Sequence, residues 1–184
     1  MTVKKEKPVQ TTQKKGKPEI EVVGLNFLDK KSYKNMMTIV DFFKTKEAVI
    51  RYDYRNTWVM SFKRKRICYI KLVKGTWSLL FFGVYDHGFE SFLYTEKMKE
   101  LVWENVCYCH CCDDCNPPGL VTTIVGKEFQ KVCRNCSLKF ENADNDSLKC
   151  VKQVALWRIN RINEKKVVNE DHIDIKKRGD LKSA

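Results

Sequence analysis

Residues 48–85 have the sequence AVIRYDYRNTWVMSFKRKRICYIKLVKGTWSLLFFGVY. This stretch contains four short runs rich in aromatic and β-branched residues, separated by short polar or glycine-containing segments. Runs of this length and composition, interrupted at this interval, are typical of antiparallel strands joined by tight turns. The stretch therefore predicts an antiparallel β-meander of about four strands.

Three amphipathic helices are predicted around this sheet. The first covers residues 29–46, where apolar side chains recur at helical spacing and Asp29 or Ser32 can cap the first turn. The second follows Thr95, a further candidate cap, and the third covers residues 147–162. The combination predicts an α+β domain in which helices pack against the meander.

The cysteines are concentrated in one part of the chain. Eight of the nine lie within residues 107–150. Cys112 and Cys115 form one CxxC pair, and after 17 intervening residues Cys133 and Cys136 form a second. This is the spacing of a four-thiolate zinc site, in which each CxxC turn directs two sulfurs at one tetrahedral ion.

The segment between the two CxxC pairs contains two short strand-like runs that flank Gly126 and Lys127. This pattern predicts a β-hairpin, which brings the two pairs together. A bound ion then stabilises a substructure that is too small to have a core of its own. The sequence therefore predicts a zinc-ribbon-like four-cysteine hairpin, with zinc as the cofactor and both CxxC pairs as the metal ligands.

Other ligand sets fit the same stretch. Cys109 is an alternative ligand, because Cys109 and Cys112 also form a CxxC at a suitable distance from Cys133. Cys109, Cys112 and Cys115 together form CxxCxxC. An iron–sulfur cluster, with Cys133 or Cys136 as its fourth ligand, is therefore the alternative cofactor.

Three further interpretations of the cluster are disfavoured. Cys107, Cys109 and Cys111 alternate along the chain, so on a strand they share a face and do not easily reach one ion together. An odd cysteine count and the lack of an export signal argue against a disulfide framework. Asp113 and Asp114 lie between the sulfurs of one pair and disfavour the thiolate that a dithiol redox centre needs.

The charge of the chain is strongly positive, with 35 Lys and Arg against 23 Asp and Glu and a net charge of +12. Residues 1–20 hold six Lys, two Glu and few apolar residues, which predicts a disordered basic tail. Residues 164–184 are predicted as a charged flexible tail, and residues 21–163 as a single domain with its metal-binding hairpin at 107–136. A positive surface attracts polyanions such as nucleic acid, although it equally serves solubility.

Two features of the meander are candidates for contact with nucleic acid. Lys63, Arg64, Lys65 and Arg66 occupy a predicted turn, where their charges can dock phosphates or simply protect a strand edge. The aromatic residues of the strands can stack on bases or form the core face of the sheet.

Enzymatic and membrane functions are disfavoured. The chain has no short nucleotide-binding, zinc-protease or serine-hydrolase motif. Its longest apolar stretch, from Trp77 to Tyr85, is too short to cross a bilayer, and no secretory signal is recognisable at the N-terminus. A cytoplasmic protein without a membrane partner is therefore expected.

Several segments together resemble small uncharacterised proteins of clostridial type. They are TWVMSFKRKRICYIKLVKGTW, the helix EKMKELVWENV, the cysteines that follow it, IVGKEFQKVC and FENADNDSLKCVKQV. The resemblance covers residues 45–160 and implies a common α+β architecture, but it carries no activity or catalytic residues to this chain.

The function expected from the sequence is that of a non-enzymatic, zinc-stabilised module that binds nucleic acid, or a nucleoprotein partner, through its basic surface. The alternative is a regulatory domain that binds a small ligand on the aromatic sheet, or senses metal or redox state through an iron–sulfur cluster. The sequence leaves the oligomeric state open.

Overall fold

The structure, a computed structural model, describes residues 16–83, 88–109 and 119–179, with the side chains of the last segment described as far as Glu164. Residues 1–15 of the predicted basic tail therefore lie outside the described residues. The helices are α1 (Ile20–Phe27), α2 (Lys30–Thr45), α3 (Glu96–Glu104) and α4 (Asn145–Gly179), with a 3₁₀ turn at Phe89–Phe92. The strands are β1 (Val49–Tyr52), β2 (Thr57–Phe62), β3 (Lys65–Val73), β4 (Thr76–Phe81), β5 (Leu120–Ile124), β6 (Lys127–Val132) and β7 (Leu138–Glu141).

The predicted meander is confirmed. Strands β1 to β4 pair with their sequence neighbours, all antiparallel, and β7 adds a fifth strand beside β4, so the order is β1-β2-β3-β4-β7. Strands β5 and β6 form a separate two-stranded sheet. The fifth strand was not predicted, because a four-residue run that pairs with a strand far back in the chain has no local pattern of its own.

The predicted α+β class and the three predicted helices are also confirmed. Asp29 caps α2, where its carboxylate accepts hydrogen bonds from the backbone N–H groups of Lys31 and Ser32. An additional helix, α1, precedes it and begins at Ile20, the last residue of the predicted tail. At the other end, α4 continues to Gly179, through most of the segment predicted as a charged tail. Within the described residues, no helix is long and apolar enough to span a membrane.

The helices cover one face of the five-stranded sheet, and the core lies between them. Trp58, Trp77 and Phe81 point to this face and are almost completely buried. For these three aromatic residues the core interpretation is right, and they are not available to stack on bases. Burying each such side chain contributes about 1.5–3 kcal/mol to folding.

A β-bulge in β3 changes which residues lie on the opposite face of the sheet. The pairing of β2 with β3 shifts between Met60 and Ser61, which leaves one extra residue in β3. Consecutive residues Ile67 and Cys68 are both fully buried as a result. Arg66 and Tyr69, on either side of them, therefore share the outer face of the sheet.

Removing the cap of α3 is expected to destabilise the domain by about 1 kcal/mol. The Thr95 hydroxyl accepts a hydrogen bond from the backbone N–H of Met98 at 3.2 Å, and Thr95→Ala leaves that N–H without this acceptor. Urea unfolding of Thr95→Ala and Thr95→Ser measures the effect, since serine retains the hydroxyl. An equal loss of unfolding free energy in both variants contradicts the capping role.

Candidate functional site

An extended segment after α3, residues 105–109, places the first cysteines of the cluster. This segment runs antiparallel to residues 131–139 and is joined to them by four backbone hydrogen bonds. The bonds are Cys109 N–H to Lys131 O (2.8 Å), Cys133 N–H to Cys107 O (2.8 Å), Cys107 N–H to Ser137 O (2.9 Å) and Lys139 N–H to Asn105 O (2.8 Å). Because Cys107 bonds to both Cys133 and Ser137, the residues between these two are an insertion that loops out opposite Cys107.

This loop is the second predicted CxxC, and the sulfur of its second cysteine, Cys136, meets the Cys107 thiol. Cys133 and Cys136 are buried, and Cys107 is half-buried. The Cys136 thiol is within reach of two acceptors, the Leu138 carbonyl at 3.3 Å and the Cys107 sulfur. The loop is fixed to β4 by buried Ser137, which donates to the Phe81 carbonyl from its N–H (2.8 Å) and its hydroxyl (3.2 Å).

The hydrogen bond between the Cys136 and Cys107 thiols shifts their pKa values in opposite directions. A hydrogen bond from Cys136 lowers the pKa of Cys107 to about 7, against the opposing effect of burial and with help from the Lys139 ammonium. The same hydrogen bond, together with burial, raises the pKa of Cys136. Cys107 is therefore the thiol of this pair that most readily becomes a thiolate, which is the form that binds metal.

The predicted ligands fall into two groups. Cys133 and Cys136 lie together in the loop after β6, whereas Cys112 and Cys115 lie in residues 110–118, outside the described residues. Among the described residues, no group of three or more His, Cys, Asp or Glu side chains is arranged to hold a metal ion. The described thiols therefore supply part of the predicted four-cysteine set, and the zinc-ribbon site stays a prediction.

Cys107 is a residue that the sequence argument left out of the ligand set. Alternation along a single strand suggested that Cys107, Cys109 and Cys111 do not converge, but the looped-out CxxC comes to Cys107 from the neighbouring strand. The alternative ligand Cys109 lies two residues further along the same extended segment and is half-buried. The signal that could have identified Cys107 was its position directly after a helix, at the start of a segment able to pair with β6.

The predicted hairpin between the two CxxC pairs is confirmed. Strands β5 and β6 pair through a tight turn in which Val125 and Gly126 both have positive φ, the turn geometry that suits a two-residue hairpin loop. Gly119 precedes the hairpin with φ +74°, and a Cβ there would lie 2.4 Å from the Lys131 backbone. Glycine at this position therefore lets the backbone of residue 119 lie directly against Lys131 of β6.

A cleft of about 450 Å³ lies between the outer face of the sheet and the cysteine segment, which comprises residues 105–109 and the loop at 133–136. Its floor is formed by β2, β3, β4 and the residue that follows β4; one wall comes from the β1–β2 loop and the other from the cysteine segment. The floor residues are Thr57, Tyr69, Lys71, Leu80 and Phe82, and the wall residues are Asp53, Tyr54, Arg55, Cys107, Tyr108, Cys133, Asn135 and Cys136. Arg55, Lys71, Tyr108 and Asn135 were not predicted as site residues, because only the tertiary structure brings them together.

The basic turn, Lys63 to Arg66, adjoins this cleft through Arg66; its first two residues form the turn that was predicted for all four, and Lys65 and Arg66 begin β3. The Arg66 guanidinium donates to the Tyr69 hydroxyl at 2.7 Å and lies 5.6 Å from the centre of the Phe82 ring. Lys63, at the other end of the turn, donates to the Asn163 side chain of α4 at 2.6 Å. Within the described part of the chain, none of the four basic residues pairs with a carboxylate.

Comparison of the chain with protein-family models, with curated proteins and with solved structures found no match. The chemistry of the site is therefore inferred from its own residues.

Proposed function

We propose that the protein is a non-enzymatic, zinc-stabilised module that binds nucleic acid, or a nucleoprotein partner, through its basic surface. The observation that carries this proposal is the position of Arg66. This residue connects the exposed basic turn to the aromatic cleft, so that charge and flat apolar surface adjoin. Proteins that bind nucleic acid without a recognisable motif of their own use two components: positive charge that neutralises phosphates, and aromatic rings on which bases stack.

The zinc is proposed to be held by Cys112, Cys115, Cys133 and Cys136, with Cys109 as the alternative ligand. Three features of the described residues support it: the convergence of buried thiols in the loop after β6, the confirmed hairpin, and the close approach at Gly119. The ion would fix the thiolates of both CxxC pairs and so hold the cleft wall against the hairpin. An iron–sulfur cluster uses the same residues and differs in its visible absorption.

The electrostatic character of the basic turn supports a phosphate-binding role. Arg64 and Lys65 are exposed, and Arg64 and Lys63 both have positive φ, a conformation that non-glycine residues adopt at a cost. Lys63 and Arg66 are bonded to other side chains of the domain, whereas Arg64 and Lys65 have no described carboxylate paired with them. Such a turn concentrates positive charge where a polyanion can reach it.

Binding of a labelled oligonucleotide is expected to weaken steeply between about 50 and 200 mM salt, with a logarithmic slope of about 0.7 per phosphate contact on a single strand. Replacing two phosphate-binding cations by Arg64→Gln and Lys65→Gln should therefore reduce the slope by about 1.4. Fluorescence anisotropy titrations at several salt concentrations measure it. The matched control is the pair Lys31→Gln and Lys34→Gln, which removes two exposed charges from α2 on the helix side of the sheet.

A slope that changes equally in both double variants would show that only net charge matters and would contradict a role for the turn. Binding that is insensitive to salt would contradict the proposed function and favour the second candidate, a regulatory small-ligand domain. That candidate is supported by the volume of the cleft, about 450 Å³, which is within the usual range of small-molecule sites. Its polar groups converge from three sides, as a ligand site requires.

A further inference from the structure

We propose that the cleft receives an unpaired base, which makes the module a binder of single-stranded rather than double-stranded nucleic acid. This inference rests on the proposed function and adds the class of its ligand. The inference depends on two aromatic residues of the cleft floor, Tyr69 and Phe82, which have two cations, Lys71 and Arg66, beside them.

The floor of the cleft has a built aromatic surface. The rings of Tyr69 and Phe82 meet edge to face, with centroids 4.9 Å apart and planes at 80°. Arg66 fixes this pair, because it bonds to the Tyr69 hydroxyl and also contacts the Phe82 ring. Both rings are only partly buried, so flat aromatic surface stays accessible for stacking.

The rim of the cleft has two more aromatic rings on opposite walls. Tyr54, in the β1–β2 loop, is 61% exposed, and Tyr108, in the cysteine segment, is 42% exposed. Two tyrosines that face a cleft from both sides can enclose a flat ring between them. Asn135 lies on the same wall as Tyr108, and its amide can both donate to and accept from the edge of a base.

The charges around the cleft match a nucleotide. Lys71 on the floor and Arg55 on the wall are exposed cations, and Asp53 is the one carboxylate among the residues that line the cleft. Two other clefts of the described structure have more carboxylates: one combines two glutamates with three cations, and the other combines three glutamates with two lysines. The second of these is net negative and repels phosphates, and the first has its largest ring, Trp58, buried in the core, so the aromatic cleft is the one of the three that best suits a nucleic-acid ligand.

The preference for single-stranded over double-stranded nucleic acid follows from the way bases stack. In a duplex both faces of each base are covered by its neighbours, so a base can enter a cleft between protein walls only when it is unstacked. Sequence-tolerant single-strand binders combine a basic path for the backbone with aromatic rings for the bases. The basic turn, Arg66 and the floor of the cleft supply these two elements side by side.

The test is binding of a labelled single-stranded oligothymidine of about 12 nucleotides and of the matching duplex to the full chain. We expect the single strand to bind more tightly, and Phe82→Ala to weaken its binding by about 5- to 150-fold, the range for loss of one stacked base. Phe82→Tyr keeps the ring and should bind as the wild type does. Tyr94→Ala is the matched control, because Tyr94 is 70% exposed and does not line the cleft.

Each result separates this inference from the proposed function. If the chain binds neither oligonucleotide, the proposed function fails. If it binds the duplex as tightly as the single strand, or if Phe82→Ala behaves like Tyr94→Ala, the base site is overturned and the basic surface alone accounts for binding. Should Phe82→Ala not fold, Lys71→Gln and Tyr108→Ala test the floor and the wall of the cleft separately, and unchanged single-strand affinity in both overturns the inference.

Discussion

Replacing Cys133 and Cys136 by serine is expected to abolish metal binding, from about one zinc ion per chain to none. Two of the four proposed ligands are removed, and the CxxC loop opposite Cys107 loses the ion that would hold it closed. The apparent free energy of zinc binding to small zinc-stabilised peptides is about 10–16 kcal/mol near neutral pH, so this is the largest effect expected of any change in the chain.

The structural consequence should be local. A two-stranded sheet such as β5–β6 is marginal on its own, and its link to the rest of the domain includes one hydrogen bond from the Trp103 indole to the Ile124 carbonyl at 3.0 Å. The buried apolar residues of β5–β6 and its turn extend one hydrophobic core, most of which lies between the five-stranded sheet and the helices. Hydrogen exchange should therefore accelerate in residues 105–109 and 119–137 of the variant, while β1 to β4 remain protected.

Elemental analysis of anaerobically purified protein, with an absorption spectrum, measures the metal directly. Colourless protein with zinc supports the ribbon, whereas iron with visible absorption supports the alternative cluster. The control is Cys150→Ala: Cys150 is fully buried on α4, and its thiol contacts the Met98 carbonyl at 3.6 Å, away from the loop. This variant should keep its metal. Metal-free wild type, or an equal metal content in the wild type and the double serine variant, contradicts the zinc proposal.

Cys107 requires a separate variant, because the structure brings its sulfur to Cys136 although the sequence argument left it out. Cys107→Ser should retain zinc if Cys112 and Cys115 complete the site. Loss of zinc in Cys107→Ser would move the ligand set to Cys107, Cys133 and Cys136 with one further donor. The experiment thus decides between two ligand sets that share the same loop.

The parts of the fold that could be predicted from the sequence are those that depend on residues close together in the chain. Each strand of the meander is adjacent in sequence to the strand it pairs with, and α2 and α3 begin at the residues predicted to cap them, Asp29 and Thr95. Hairpin pairing and capping depend on residues a few positions apart, which a sequence displays directly. The β5–β6 hairpin was predictable for the same reason.

The helix α1 was not predicted, and it contains a glycine, which lowers helix propensity when the sequence is considered alone. A glycine usually marks a weak position in a helix, but at Gly24 a Cβ would lie 2.5 Å from the end of the Met36 side chain. The end of the Met36 side chain occupies the space that a Cβ would take, so the glycine suits the contact between α1 and α2, which is a property of the pair of helices rather than of either sequence. Only the tertiary structure shows that this residue favours the observed packing.

The candidate site was predicted in part for a similar reason. The spacing of Cys133 and Cys136 was informative because a CxxC turn is local. The position of Cys107 depends on a loop inserted in a neighbouring strand, and the pairing of Arg66 with Tyr69 depends on the bulge at Ile67. Insertions and bulges change which residues share a face, so the alternation of a single strand cannot reveal them.

The second large effect is expected at Phe81, where Phe81→Ala should lower the free energy of unfolding by about 3–5 kcal/mol. Phe81 is fully buried in the core, pairs with Cys68 and Leu138 on its two neighbouring strands, and meets the Phe140 ring edge to face at 6.2 Å. Alanine leaves a cavity that the surrounding strands and helices cannot fill. For a chain of this size, the loss should lower the melting temperature by roughly 10 °C or more.

The adjacent residue provides the control, since Phe82→Ala removes the same ring from the other face of the sheet. Phe82 is partly exposed on the cleft floor, so its loss should lower the free energy of unfolding much less than Phe81→Ala does, by about the 0.5–1.5 kcal/mol of its aromatic pair with Tyr69, and reduce single-strand binding instead. Urea unfolding and oligonucleotide binding, measured on both variants, therefore give opposite patterns if one face is the core and the other the binding surface. Equal destabilisation by the two variants would mean that the outer face is packed like a core, and a base could not then enter between Tyr69 and the cysteine segment.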